Sequence, residues 1–280
     1  MSYKTILVHV DDSAHVAARI AAAAAIAIAQ DAHLIGAAVT GISRFVDEAV
    51  AVNPYNPAIT PYLDTLRKRA LVCLDRFDEQ VRRIGVLSFE RRLVDDEVSG
   101  GLSLQARYSD LVVVGQSDPG EPARAVDANF PEYVAVTSGT PVLIIPFARE
   151  FARIGTHAMV AWNASREARR ALQDAIPLLQ AAQQVDVVVF NRVAPPDPHG
   201  GEPGADVVQY LQRHGVAAAL QTEDVKHGEL GAALLSMATA SSTDLLVMGC
   251  YGHTRFREML LGGVTRHVLA SMTVPVFMSH

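Results

Sequence analysis

The sequence contains an internal repeat, and this duplication constrains the fold more than any other feature of the chain. The segment SDLVVVGQSD, which begins at Ser109, returns as TDLLVMGCYG from Thr243. Three pairs of residues are separated by 134 positions: Asp110 and Asp244, Gly115 and Gly249, Pro141 and Pro275. Three matches at one spacing, within about thirty residues, indicate two copies of one domain.

The beginnings of the two copies also match, at a different spacing. TILVHVDDSAHVAARI, from Thr5, pairs with HAMVAWNASREARRAL, from His157, at a spacing of 152 that places Asp11 opposite Asn163. The first copy therefore carries about eighteen extra residues, most simply in its Pro- and Asn-rich segment ISRFVDEAVAVNPYNPAITPY. We predict two homologous domains, residues 1–150 and 151–280, divided near Glu150.

Strands and helices alternate in both copies. In the second copy, a strand AMVAW precedes a helix that opens at Ser165, a residue type that favours helix N-caps. Further helices are predicted over Asp206–His214 and Glu229–Ala240, and strands over VDVVVFNRV, DLLVMG and VPVFMS. Continuous Val/Leu runs between helices are typical of a parallel sheet covered on both faces, so we expect an α/β fold.

The composition excludes several classes of protein. Half of the 280 residues are apolar and the net charge is -6, which predicts a globular protein and no broad nucleic-acid surface. Two cysteines, Cys73 and Cys250, give no disulfide framework, and the beginning of the chain has no secretory pattern. The apolar stretch Ala17–Ala29 contains Arg19 and reads as a buried helix rather than a membrane segment. We expect a cytoplasmic protein with no membrane partner.

A glycine-rich stretch follows the strand DLLVMG. It reads MGCYGHTRFREMLLGGVT from Met248 and contains Gly249, Gly252, Gly262 and Gly263, with Arg255 and Arg257 between them. Bare backbone N–H groups beside positive charge can cradle phosphate, and ligands of parallel sheets bind at the carboxyl ends of strands. The alternative is a tight turn and a close helix contact, which we favour for Gly249 alone but not for the whole stretch.

The pattern G-x2-G-x9-G of the second half and the strand-one sequence ILVHVDDS of the first half resemble the universal stress protein family. The resemblance covers nearly the whole chain as two tandem copies. Neither a Walker A loop nor a GxGxxG fingerprint is present. The resemblance implies two tandem copies of a five-stranded parallel-sheet sandwich, a Rossmann-like fold of the adenine nucleotide alpha hydrolase type. Members of this family are usually paired and many bind ATP.

The family's site carries over to the second half only in part. Gly249, Gly252 and Gly262 match the three glycines of the motif. Gly263 stands where the family has Ser or Thr, which removes one hydroxyl, although Val264 and Thr265 continue the pattern. Asn163 replaces an Asp near the adenosine end, so it can form hydrogen bonds but brings no charge.

Three neighbours complete the candidate site. Met248 ends the strand before the glycines, and His253 could meet a phosphate in a pH-dependent way. Trp162 could stack on a base or pack between the two domains, and both interpretations stay open. We assign no catalytic and no metal-binding residue, because the histidines are scattered and no nucleophile motif occurs. The role of Cys250 inside the stretch is left open, with a redox role disfavoured.

The first half departs further from the motif. The first-half residues that correspond to the second-half loop at the 134 spacing are different. Asp118 corresponds to Gly252, Ala128 to Gly262, Asn129 to Gly263 and Pro131 to Thr265. Asp118 and Glu121 would put negative charge where phosphates lie. We predict a degenerate, non-binding first domain in which Asp11 is a turn residue before a helix at Ser13.

The sequence therefore predicts a stress-response protein that binds an adenine nucleotide, ATP, through its second half and acts as a signalling or protective module. The first half would supply an intramolecular pseudo-twofold partner. Two alternatives remain: an interaction module that has lost nucleotide binding, and a slow ATPase. Mg2+ as a companion of ATP and a further homodimer are left open.

Overall fold

The computed structural model describes residues 2–43, 59–121, 129–147, 151, 153–190, 204–226, 228–251 and 263–280. Contacts between Cα atoms divide the chain into two compact units, Ser2–Val142 and Leu143–His280. No helix in these described ranges is both long enough and apolar enough to cross a membrane.

Strands and helices alternate along the first half. Its elements are β1 (Thr5–His9), α1 (Val16–Gln30), β2 (His33–Val39), α2 (Ile59–Ile84), β3 (Phe89–Val94), α3 (Val98–Ala106), β4 (Leu111–Gly115), α4 (Phe130–Thr137) and β5 (Val142–Ile145). The boundary between the compact units falls inside β5.

The second half repeats this alternation. Its elements are β6 (His157–Ala161), α5 (Arg166–Leu179), β7 (Gln184–Phe190), α6 (Ala205–Arg213), β8 (Ala218–Glu223), α7 (Leu230–Ala240), β9 (Leu245–Gly249), α8 (Val264–Ser271) and β10 (Val276–Ser279). The predicted helix opening at Ser165 is confirmed, since the Ser165 hydroxyl accepts a hydrogen bond from the Ala168 nitrogen at 3.1 Å.

The strand orders are those of an open, doubly wound sheet. In the first half the order is β3-β2-β1-β4, and in the second it is β10-β9-β6-β7-β8. Every one of these neighbouring pairs runs parallel. The central strands β4 and β9 bury their Leu and Val side chains completely, because helices cover both faces. The predicted α/β class is confirmed.

The aspartates repeated at the 134 spacing tie neighbouring strands together. The Asp244 carboxylate, just before β9, accepts hydrogen bonds from the backbone nitrogens of Gly155, Thr156 and His157, each at 3.0 Å. Asp110 does the same for Lys4 and Thr5 before β4. The repeated aspartates are therefore explained by a structural role: they join neighbouring strands at the amino ends of the strands, the edge of the sheet opposite Gly115 and Gly249.

One predicted boundary was wrong. Helix α1 begins at Val16, three residues after Ser13. The Asp11 carboxylate accepts hydrogen bonds from the Ser13 nitrogen at 3.1 Å and the Ser13 hydroxyl at 2.7 Å, which holds Ser13 in a turn. The prediction of Asp11 as a turn residue is confirmed.

Candidate functional site

The strand order of the second half reverses between β6 and β9. From β6 the chain proceeds to β7 and β8 on one side, and then returns to β9 and β10 on the other. The β6–β9 register pairs Val160 with Val247, so two steps further Trp162 and Gly249 lie at the same level. Ligands of open parallel sheets bind beyond the carboxyl ends of strands at such a switch point. Trp162, after β6, and Gly249, at the end of β9, therefore lie at the edge of the sheet where a ligand is expected.

The loop from β6 to α5 contributes Trp162 and Asn163. The Trp162 nitrogen donates to the Val188 carbonyl at 2.9 Å, which extends the β6–β7 ladder by one residue, and its side chain is half-buried. Asn163 is exposed, and its side-chain oxygen accepts from the Ser165 nitrogen at 3.1 Å. Because this bond uses only the oxygen, the amide N–H groups keep their capacity to donate.

The end of β9 lies against the first turn of α5. A Cβ added to Gly249 would stand 2.4 Å from the Ala168 nitrogen and 2.5 Å from the Glu167 carbonyl carbon. Backbone atoms cannot give way, so Gly249 is required by packing whether or not a ligand binds. Met248, the preceding residue, is buried.

Helix α8 begins with three of the predicted residues: Gly263 at the N-cap, then Val264 and Thr265. Gly263 makes no side-chain cap, and the first turn holds no acidic residue. Thr265 is buried, whereas Arg266 is exposed. The first turn of α8 thus combines N–H groups that no side chain caps with a positive charge, a combination suited to an anion.

The corresponding helix of the first half has the opposite character. In α4, Pro131 stands at the position of Thr265 and Glu132 at that of Arg266. Proline removes one backbone N–H group, and the glutamate adds negative charge beside the remaining ones. The first turn of α4 is therefore unsuited to phosphate.

Gly252, His253 and Gly262 lie outside the described residues, as do Arg255 and Arg257. Their assignment to the site remains a prediction from the sequence.

Two strained backbone positions flank this edge of the second half. Ala164 has φ 58° and Tyr251 has φ 55°, in the left-handed region that non-glycine residues rarely adopt. Their first-half counterparts, Asp12 and Ser117, do not have positive φ. The two other non-glycine residues with positive φ in the described ranges, Asp31 and Ser242, follow the ends of helices. Such strain clusters at functional sites, and neither Ala nor Tyr signals it in a sequence.

In the first half, a buried arginine fills the equivalent switch point between β1 and β4. The Arg19 side chain donates to the His9 carbonyl at 2.8 Å and to the Asp11 carboxylate at 2.7 Å. A Cβ added to Gly115, the counterpart of Gly249, would stand 2.5 Å from an Arg19 nitrogen. Ala171 occupies the matching position in the second half, so this ion pair belongs to the first half alone.

The loop after β4 adds further internal contacts. The Glu121 carboxylate accepts from the Ala14 nitrogen at 2.7 Å, and an Asp118 oxygen lies 3.1 Å from His15 Nε2. Both carboxylates had been expected to repel phosphate. Both bind the turn that leads into α1, so their negative charge lies close to the end of β1, and its effect on phosphate remains a prediction.

Burial and charge shift two pKa values in this cluster. Burial lowers the pKa of His9 to about 4, an effect that the nearby Asp11 carboxylate only partly opposes and that Arg19 reinforces. Burial alone would raise the pKa of Asp11. Arg19, His9 and the two hydrogen bonds from Ser13 outweigh that effect and hold it well below its ordinary value. The His9 ring also packs on Phe130, with centroids 5.0 Å apart.

Cys250 is fully buried, and its thiol donates to the Ser279 carbonyl at 3.4 Å. A buried, hydrogen-bonded thiol is poorly placed for redox exchange, so packing accounts for this residue. Among the described residues, no group of three or more His, Cys, Asp or Glu side chains could hold a metal ion.

Comparison with known proteins identifies the class of the second half. Residues 156–280 match the model of the Universal stress protein family. The resemblance drawn from the glycine spacing is confirmed over this range. No curated protein matches the chain.

Solved structures extend the likeness in fold to nearly the whole chain. A universal stress protein from Archaeoglobus fulgidus DSM 4304 is 16% identical and has a TM-score of 0.73, covering 98% of this chain and 95% of that one. A functionally unknown protein from Pseudomonas aeruginosa PAO1 is 14% identical with a TM-score of 0.59, over 99% of this chain and 92% of that one. At these identities the likeness shows the fold.

A third solved structure covers about half of the chain. It is a universal stress protein in complex with cAMP, 24% identical, with a TM-score of 0.40 over 52% of this chain and 98% of that one.

Proposed function

We propose that the protein binds one adenine nucleotide, ATP, at the carboxyl edge of β6 and β9, and that it acts as a signalling or protective module of the universal stress protein type. The observation that carries this proposal is the pair of strained residues, Ala164 and Tyr251, on the two loops that leave the switch point. A strained backbone persists only where the surrounding structure holds it, and the first half lacks it at both counterparts.

The residues of this edge fit the two ends of a nucleotide. At the start of α8, the uncapped N–H groups and Arg266 suit a phosphate chain, which carries negative charge. At the end of β6, the Asn163 amide can bind ribose hydroxyls, and the half-buried Trp162 offers an aromatic surface for a base. The glycine spacing and the family match over residues 156–280 support the same ligand class.

The first half is proposed to be a non-binding domain. Arg19 lies at the position where the β1 and β4 ends would receive a ligand, and Glu121 contacts the turn before α1. Pro131 and Glu132 at the start of α4 disfavour phosphate independently of these contacts. Each chain should therefore bind one nucleotide.

Titration calorimetry with ATP and Mg2+ tests the proposal in the wild-type protein and in a matched pair of variants. Gly262→Val, in the second-half loop, should weaken ATP binding by about one to three orders of magnitude through lost backbone–phosphate hydrogen bonds. Ala128→Val, at the corresponding first-half position, should leave binding intact. A folded Gly262→Val variant that binds ATP as tightly as the wild type would show that the glycines serve helix packing.

A further inference from the structure

Ser279 and His280 bind the backbone of Cys250, the third residue of the glycine-rich stretch. The Cys250 nitrogen donates to the Ser279 carbonyl at 3.0 Å, and the Cys250 carbonyl oxygen lies 3.0 Å from His280 Nδ1. Because a carbonyl can only accept, Nδ1 must carry the proton in this contact. Both backbone polar groups of Cys250 are thus bonded to Ser279 and His280.

Ser279 is itself fixed by helix α5. Its hydroxyl donates to the Asp174 carboxylate at 3.0 Å, and the same carboxylate oxygen accepts from Arg170 at 2.8 Å. Ser279 is buried, and the Asp174 side chain is 18% exposed. Hydrogen bonds therefore connect α5 to the Ser279 side chain, and the Ser279 backbone carbonyl to Cys250 just after β9.

The first half has the same strands without these side-chain contacts. The residues that correspond to Ser279, His280 and Asp174 are Ile145, Pro146 and Ala22. None of the three has a side-chain hydrogen-bond donor or acceptor. Since β4 and β5 form without them, the fold alone does not require this arrangement. These side-chain contacts occur in the second half, which is the half that contains the glycine-rich stretch.

The contact acts on a strained peptide. The Cys250 carbonyl and the Tyr251 N–H belong to one planar peptide group, so a hydrogen bond that holds the carbonyl also fixes the direction of that N–H. Tyr251 has φ 55°, whereas its counterpart Ser117 has no positive φ. The left-handed conformation is unfavourable for a residue with a Cβ atom, so the surrounding bonds have to hold it.

We propose that His280, supported by Ser279 and Asp174, is a positioning residue for the start of the glycine-rich stretch, at Cys250 and Tyr251. It fixes the peptide between Cys250 and Tyr251, and thereby the direction of the Tyr251 N–H group at the carboxyl end of β9, where the phosphates are proposed to bind. The inference rests on the proposed function, because it names a residue that shapes the phosphate end of that same site. Its effect should consequently depend on the phosphates of the ligand.

Two substitutions at this exposed position test the inference. His280→Leu removes the donor, whereas His280→Asn keeps an N–H donor at nearly the place of Nδ1. Calorimetry with ATP and with adenosine should show that His280→Leu weakens ATP binding about five- to tenfold, the effect of one neutral hydrogen bond, and leaves adenosine binding within about twofold. His280→Asn should restore most of the ATP affinity.

The outcomes separate this inference from the function on which it rests. A wild-type protein that binds no ATP overturns both. If the wild type binds ATP and His280→Leu binds it equally well, the positioning role is wrong while the proposed function stands. An equal loss of ATP and adenosine affinity also overturns the inference, because it assigns His280 to general support of the domain.

Discussion

Gly249 approaches Ala168 so closely that an added Cβ would stand 2.4 Å from the Ala168 nitrogen. This contact seats the end of β9 on the first turn of α5, and it brings the β6–α5 loop with Asn163 beside the start of the glycine stretch. In the first half, the guanidinium of Arg19 takes the place of that helix backbone beside Gly115. In the first half the Arg19–Asp11 ion pair therefore fills the switch point, whereas in the second half the backbone of α5 packs against Gly249 there.

Substitution of Gly249 tests this packing. Gly249→Ala should destabilise the second half by about 2 kcal/mol, because the Cβ meets backbone atoms that cannot move aside. Trp162, the only tryptophan, lies in the second half, so urea unfolding followed by tryptophan fluorescence reports on that half. Gly115→Ala, which meets the end of the Arg19 side chain, is the control and should leave this transition unchanged. Equal transitions for Gly249→Ala and the wild type would refute the packing role.

Charge at the start of α8 should affect the affinity for ATP. Arg266→Glu installs the residue type that the first half carries at Glu132, and it should weaken ATP binding by about fivefold at low salt, the effect of about 1 kcal/mol at a helix N-terminus. The loss should shrink as salt rises, since the side chain is exposed. Calorimetry at two ionic strengths measures both effects. If Arg266→Glu binds ATP at low salt as tightly as the wild type does, the phosphates do not bind beside the start of α8.

The buried His9 should make the first half less stable in mild acid. Its pKa is lowered to about 4 in the folded protein, so the unfolded chain takes up the proton first as the pH falls below about 6.5. Unfolding is therefore favoured progressively between pH 6.5 and pH 4, with a loss of about 2 kcal/mol between pH 7 and pH 5. The Asp11–Arg19 pair works in the same direction at lower pH, because the pKa of Asp11 is also held down.

His9→Leu separates the contribution of this histidine from general acid sensitivity. The variant cannot titrate at this position, so its loss of stability between pH 7 and pH 5 should be smaller than that of the wild type by about 2 kcal/mol. Urea unfolding followed by far-ultraviolet circular dichroism measures the difference. Identical pH dependence in the two proteins would show that His9 is not the responsible group.

Much of the fold could be read from the sequence because its signals are local or repeated. The 134 spacing, the Val/Leu runs before Gly115 and Gly249, and the Ser165 cap each depend on a few neighbouring residues. Helix α1 was placed three residues too early because Ser13 is a common cap residue. Here the Asp11 carboxylate engages its N–H and hydroxyl in a turn instead.

The contacts that distinguish the two halves could not be predicted from the sequence. Arg19 reads as one charge in an alanine-rich helix, and only the folded chain brings it to Asp11 and Gly115. The left-handed conformations of Ala164 and Tyr251 cannot be predicted from the residue types, because both amino acids disfavour this conformation. The His280–Cys250 contact joins residues that are far apart in the chain and meet only when β9 and β10 pair.

Native mass spectrometry of the gently purified protein, before and after addition of ATP, tests the central claim most directly. We expect a single mass increment corresponding to one adenine nucleotide per chain, either carried through purification or acquired on titration, and no second increment at higher ATP. Two bound nucleotides per chain would contradict the assignment of the first half as non-binding. A chain that takes up no nucleotide at any concentration would contradict the nucleotide site itself.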